Sequence, residues 1–295
     1  MGNEQMQIIQ VVIPITMFCL MFGMGLTLTF ADFKRVLSVP KAVIIGLFLQ
    51  LLALPAIGFG LAMSFELTTM LAVGLVAVAA CPGGTTSNVV VHMGKGDTAL
   101  SITLTATATL VTLFTLPLWV NYSLGAFGEA ATTVEMPVLT TALQLGIFTI
   151  LPVFLGMFSR VRWPGLIEHE PKISKLSTLA MVAAFVAASI MDETSLESAS
   201  ALFVPCAIYV LIALVVGYGV PRISGLDKKT SSTVAVETTL KNILLSLFVA
   251  TNTLNAIEAG YASGIIGTLM MPIAIGLMVA YRMSEKREAR LSEAS

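Results

Sequence analysis

Glu237 and Lys241 stand four residues apart within Thr233–Asn252, TVAVETTLKNILLSLFVATN, a run with no other charge. At that spacing an acid and a base share one helix face. If the run crosses a bilayer, each charge costs roughly 2.5–3.5 kcal/mol at the membrane centre. The bland reading is an ion pair that only neutralises itself. A chain needing packing alone would place two apolar residues there, because buried pairs rarely stabilise relative to apolar replacements. Ionisable groups inside a membrane are instead read as handling an ion or a charged ligand.

A second polar interruption lies in Ala79–Asp97, AACPGGTTSNVVVHMGKGD. Pro82, Gly83 and Gly84 break a helix, because proline lacks an N–H and glycine favours other backbone conformations. Thr85, Thr86, Ser87 and Asn88 follow, all residue types that cap helices well. The expectation is a half-helix ending near Cys81, an unwound stretch, and a second half-helix starting near Thr85. A proline kink in one continuous helix is the simpler alternative. The new helix N-terminus would favour an anion. The unwound carbonyls and the hydroxyls are hard oxygen donors suited to a small cation.

Composition says what must position these residues. The chain of 295 residues is 56% hydrophobic and 11% charged, against about 25% charged for a soluble domain. Mean hydropathy is +0.92. The class is an all-α integral membrane protein, and the lipid bilayer is its first partner. A net charge of −1 and a pI of about 6.1 give no reason to expect nucleic acid. Cys19, Cys81 and Cys206 lie in apolar runs, with no disulfide or metal spacing. No nucleophile–base–orienter set marks an enzyme, and no feature specifies a protein partner. The first apolar run lacks the basic start of a cleaved signal peptide and reads as a span.

Apolar runs long enough to cross are expected at 7–30, 42–64, 69–92, 98–122, 137–158, 174–191, 200–221, 230–252 and 261–281, nine in all. Fifteen of the 16 Lys and Arg residues then fall in alternate connectors and the 282–295 tail. By the positive-inside rule those segments are cytoplasmic, with the N-terminus outside and the C-terminus inside. The basic residue left over is Lys241. Of the 17 acids, eight fall on each side, and Glu237 is left over. The two irregular spans are the third and the eighth. A unit of five spans inverts when repeated, which is the pattern of an inverted-repeat secondary transporter with its site where two broken helices cross. One such site would exchange cations at the Glu237–Lys241 pair, as a sodium- or proton-coupled antiporter.

CPGGTTSN in the third span, VETTLKN in the eighth and MFGMGLTLTFADFKRVLSVPKAVIIGLFLQ in the first two resemble the bile acid:sodium symporter family along nearly the whole chain. The resemblance implies a nine-span member forming a single domain over residues 1–295, in a cell (inner) membrane. Spans 2–4 and 7–9 would form a core and spans 1, 5 and 6 a panel. It also implies alternating-access transport of organic anions, bile acid-like or small carboxylates. The first cation site carries over as Ser87, Asn88, Ser101, Thr105 and Glu237. The second carries over as Gln50, Glu237 and the carbonyls near Thr238 and Leu240. In the family that site also has a glutamine, and here the position is Lys241; the family's glycine before it is Thr239. An ammonium is a compact cation with three donors, so Lys241 is expected to occupy the place of the second sodium, bonded to Glu237, Gln50 and loosened carbonyls. Coupling is then expected to one sodium ion, to a proton or to neither, with no other cofactor. The substrate anion is expected at Thr85, Thr86 and Asn242. His92 reads as an interfacial residue, and Gly23 and Gly25 as permitting close helix packing.

Overall fold

The computed structural model describes residues 3–128, 138–190 and 195–293. Its elements are helical: α1 (Asn3–Thr27), α2 (Phe30–Lys34), α3 (Pro40–Phe48), α4 (Leu54–Ser64), α5 (Thr69–Ala80), α6 (Thr85–Met93), α7 (Thr98–Phe127), α8 (Val138–Leu145), α9 (Leu151–Arg162), α10 (Glu170–Ile190), α11 (Ser195–Ile223), α12 (Lys228–Thr239), α13 (Ile243–Phe248) and α14 (Tyr261–Glu293). π-helical turns at Leu49–Ala53 and Gly146–Ile150 join α3 to α4 and α8 to α9, and a third, Val249–Thr253, follows α13.

Six helices among the described residues are long and apolar enough to cross a membrane: Gln10–Thr27, Pro40–Ser64, Thr98–Phe127, Leu139–Arg162, Glu197–Ile223 and Glu258–Arg287. Thr69–Ala80 and Ile243–Thr253 are shorter apolar helices. α10 has 21 residues and is not one of the six. Residues 137 and 191, at the ends of two expected runs, lie outside the described residues. Phe114, Leu151, Val215 and Val279 stay exposed on the outer surface, as in a chain whose solvent is acyl chains. The protein is a multi-pass membrane protein.

Two groups of helices pack more within themselves than with each other. α1 lies along α9 and α10, while α11, α12 and α14 pack together and α5 packs on α4 and α7. Glycine allows the closest approach in the first group: a Cβ on Gly25 would run into the Val153 carbonyl, and one on Gly156 into that of Phe22. Gly23 approaches Ser174 on α10, where an added Cβ would lie 3.1 Å from its Oγ.

Caps and prolines set several element ends. Asp97 caps α7 by accepting from the Leu100 amide at 3.0 Å. Asp227 caps α12 by accepting from the Thr230 amide at 2.9 Å. Burial opposes the Asp227 charge, but the amide and hydroxyl bonds from Thr230 outweigh it and hold the carboxyl below its usual range. Pro55 has no N–H to give the carbonyl four residues earlier. That carbonyl, on Leu51, accepts instead from Trp119 Nε1 on α7 at 2.9 Å.

Candidate functional site

α5 ends at Ala80 with Cys81 as its C-cap, and α6 starts at Thr85. The N-cap of α6 is Gly84, with no side-chain cap. No hydroxyl or amide side chain is used up as the cap, although Ser87 Oγ reaches the Gly84 carbonyl at 2.6 Å. α12 ends at Thr239, and Asn242 caps α13 by accepting from the Leu245 amide at 3.1 Å. The two unwound stretches pair as an isolated antiparallel bridge, Gly83 with Lys241. Gly84 N donates to Leu240 O at 2.9 Å, and Asn242 N donates to Pro82 O at 2.8 Å. The crossing thus satisfies backbone groups that lie far from water.

Glu237 sits one turn before the α12 break and is fully buried. Its Oε2 accepts from Ser87 Oγ at 2.6 Å and Ser101 Oγ at 2.7 Å, and its Oε1 accepts from Thr105 Oγ1. Asn88 Oδ1 lies 2.7 Å from Ser101 Oγ and 3.4 Å from Thr105 Oγ1. Each hydroxyl has one hydrogen and more than one acceptor in reach: Ser101 and Thr105 face Asn88 as well as the carboxylate, Thr105 also faces the Ser101 carbonyl at 3.1 Å, and Ser87 faces the Gly84 carbonyl at 2.6 Å. The four-residue spacing on α7 turns both toward α12. Gly83 is pressed against this carboxylate, and a Cβ there would overlap Glu237 Oε1.

Lys241 is also buried, at 1% exposure. Its Nζ donates to Cys81 O at 3.0 Å. The ammonium is therefore bonded to the carbonyl of Cys81, the C-cap of α5, rather than to the Glu237 carboxylate, whose oxygens face three hydroxyls. A helix C-terminus carries partial negative charge, so this is a favourable place for a fixed cation. Gln50 does not bond to Lys241 either: its Oε1 accepts from Gly83 N at 2.8 Å, and its Nε2 has no partner among the described groups. Thr238 Oγ1 donates to Val234 O and Ala235 O in its own helix, at 2.9 and 3.0 Å. The Leu240 carbonyl is engaged by Gly84. Thr239 Oγ1 is buried without a partner among the described groups.

A cavity of about 440 Å³ opens beside the crossing. One wall is Gly84, Thr85 and Thr86 at the start of α6, with Lys241, Asn242 and the first turn of α13. The other walls come from Leu20 and Met21 on α1, Thr178, Val182 and Phe185 on α10, and Ser263, Gly267 and Met271 on α14. The expected anion residues Thr85, Thr86 and Asn242 thus share one surface. The Cys81 carbonyl and the α14 hydroxyls were not anticipated. A carbonyl carries no sequence signal, and Ser263 lies in a run of small residues that reads as packing. His92 is exposed, with Nδ1 3.5 Å from Thr98 Oγ1.

The profile of the sodium bile acid symporter family matches residues 14–199. The chain belongs to the sodium bile acid symporter family. Its relatives span plants, bacteria and animals. It is 31% identical to a probable sodium/metabolite cotransporter, chloroplastic, of Oryza sativa subsp. japonica, over 78% of this chain and 54% of that protein. It is 31% identical to an uncharacterized sodium-dependent transporter of Bacillus subtilis, over 81% of this chain and 73% of that one. It is 27% identical to the ileal sodium/bile acid cotransporter of Homo sapiens, over 81% of this chain and 68% of that protein. The chain therefore spans about half the length of the rice relative. The family is one of transporters, not enzymes.

Proposed function

We propose that this protein is a secondary transporter of organic anions, working by alternating access, in which Lys241 stands in for one of two coupling cations. The observation that carries this reading is the ammonium of Lys241, bonded to the carbonyl end of α5 inside the crossing of two broken helices. A sodium ion there would meet the same carbonyl, and a covalently tethered ammonium supplies that charge without an ion.

The remaining donors suit one small hard cation. Ser87, Asn88, Ser101, Thr105 and Glu237 offer hydroxyl, amide and carboxylate oxygens only, and such oxygens favour hard ions. Sodium, if co-transported, is cargo at this place. The substrate anion is proposed to meet Thr85, Thr86 and Asn242, which line the cavity beside the start of α6, the end of a helix that favours an anion. Nine spans are proposed, with a panel of spans 1, 5 and 6 and a core of spans 2–4 and 7–9. The N-terminus lies outside a cell membrane and the C-terminus inside. A sodium ion entering down a tenfold gradient at 100 mV releases roughly 1.4 + 2.3 kcal/mol. Losing one of two ions halves the drive.

The test is thermal stability of the purified protein in detergent, with sodium titrated against choline at constant ionic strength. A ligand that binds only the native state adds RT ln(1 + [L]/Kd). The expected result is a sodium response that is weak or absent in the parent and becomes saturable in Lys241→Gln. A parent response with two-ion cooperativity would overturn the assignment of Lys241.

A further inference from the structure

A proline inside a helix leaves the carbonyl four residues earlier without its helical donor. Pro14 lies inside α1 and so vacates the carbonyl of Gln10. In the folded protein that carbonyl is taken from outside the helix: Asn252 Nδ2 donates to it at 2.9 Å. The Gln10 side chain adds a second bond, with Nε2 donating to Asn255 Oδ1 at 2.8 Å. Both asparagines lie beyond α13. Asn252 is in the π-helical turn, where Thr251 Oγ1 orients its Oδ1 at 3.0 Å. Asn255 has φ of 52°, a left-handed backbone that asparagine adopts more readily than most residues. Two bonds, one of them to the vacated carbonyl, thus tie α1 to the far end of the second broken span.

These bonds have a defined place relative to the cavity. α1 lines it at Leu20 and Met21, roughly 15 Å along the helix from Gln10 at 1.5 Å per residue. α13 lines it at Ile243, Leu244 and Leu247, ahead of Asn252 and Asn255. The bonded end is therefore the one where α1 begins and the second broken span finishes. Phe185 of α10 also lines the cavity, its ring 6.1 Å from that of Tyr261 at the start of α14. A second proline-vacated carbonyl, on Leu51, is bonded by Trp119. That bond lies between α7 and the turn before α4, within one helix group. The Gln10 bonds instead join α1, which packs with α9 and α10, to the segment after α13, a helix that packs on α14 and α5. The Gln10–Asn255 bond is exposed, so water can replace it when these helices part.

We infer that Gln10, Asn252 and Asn255 form a latch that holds the cavity shut at the face where α1 begins, and that Pro14 supplies the latch with its free carbonyl. The inference rests on the alternating-access reading above. These are positioning residues: they bias which face of the cavity is open and touch no substrate.

The test needs no substrate. Met271→Cys places a reporter thiol in the cavity, in a background with Cys19→Ala; Cys81 and Cys206 are fully buried, and the same background without the reporter is the control. Labelling by a membrane-impermeant maleimide is followed from each face of sealed vesicles. In the parent, labelling is expected mainly from the face opposite the start of α1. Gln10→Ala and Asn252→Ala are expected to raise labelling from the α1 face several-fold. Pro14→Ala, which returns an N–H to the Gln10 carbonyl and favours the helix, is expected to act in the same direction with smaller size. Unchanged rates from the α1 face in all three variants would overturn the latch while leaving the transporter reading intact. A reporter that labels from neither face in any variant would overturn the transporter reading, and the latch with it.

Discussion

At the scale of single residues, the two buried charges have different neighbours. Glu237 is held by three hydroxyls and Lys241 by one carbonyl. They still occupy one short segment, so each is the nearest full opposite charge the other has along the chain. Removing one member of a buried pair leaves an uncompensated charge and costs about 3–5 kcal/mol, whereas removing both does not. In choline, Glu237→Gln and Lys241→Gln are each expected to lower the melting temperature. The double variant should melt closer to the parent than the sum of the two shifts, with a coupling of roughly 0.5–3 kcal/mol. Additive shifts would show that neither charge senses the other.

At the scale of elements, the crossing depends on how closely two unwound segments approach. Gly83 is where that approach is tightest, because its Cα faces Glu237 directly. Gly83→Ala must push the carboxylate off its hydroxyl donors, and overpacking of this kind costs about 1–3 kcal/mol. Gly60→Ala in α4 is the matched control, since a Cβ there meets nothing within 4 Å. Gly83→Ala is expected to lower the melting temperature and blunt the sodium response of Lys241→Gln, while Gly60→Ala leaves both unchanged. Equal effects at the two positions would sink the argument. The Gln10 latch belongs to the same scale, since a proline changes what a neighbouring helix can bond to.

At the scale of the whole molecule, membrane orientation is a matter of summed charge. In the proposed nine-span order basic side chains gather in alternate connectors, and the last turns of α14 contain Arg282, Lys286, Arg287 and Arg290. A fluorescent protein fused to the C-terminus matures only in the cytoplasm, whereas alkaline phosphatase fused there is active only outside. Fluorescence without phosphatase activity is the expected result. The reverse result would invert the proposed topology and place the latched face in the cytoplasm.

The sequence by itself determined the helical membrane class, the place of the first break and the isolation of Glu237 and Lys241. These follow from local physics: apolar runs must be helical in lipid, Pro82–Gly84 cannot continue a helix, and charge in an apolar run is conspicuous. The second break was less legible, because VETTLKN has no glycine or proline. Its unwinding rests on pairing with Gly83 and Gly84 across 150-odd residues of chain, a contact that no local propensity encodes. The partner of Lys241 was likewise decided only in three dimensions. The ammonium was expected on Glu237 and Gln50, but α7 brings Ser101 and Thr105 to the carboxylate first, and Gly83 takes the Gln50 oxygen. What remained within reach was the carbonyl end of α5, and backbone carbonyls look the same at every position of a sequence.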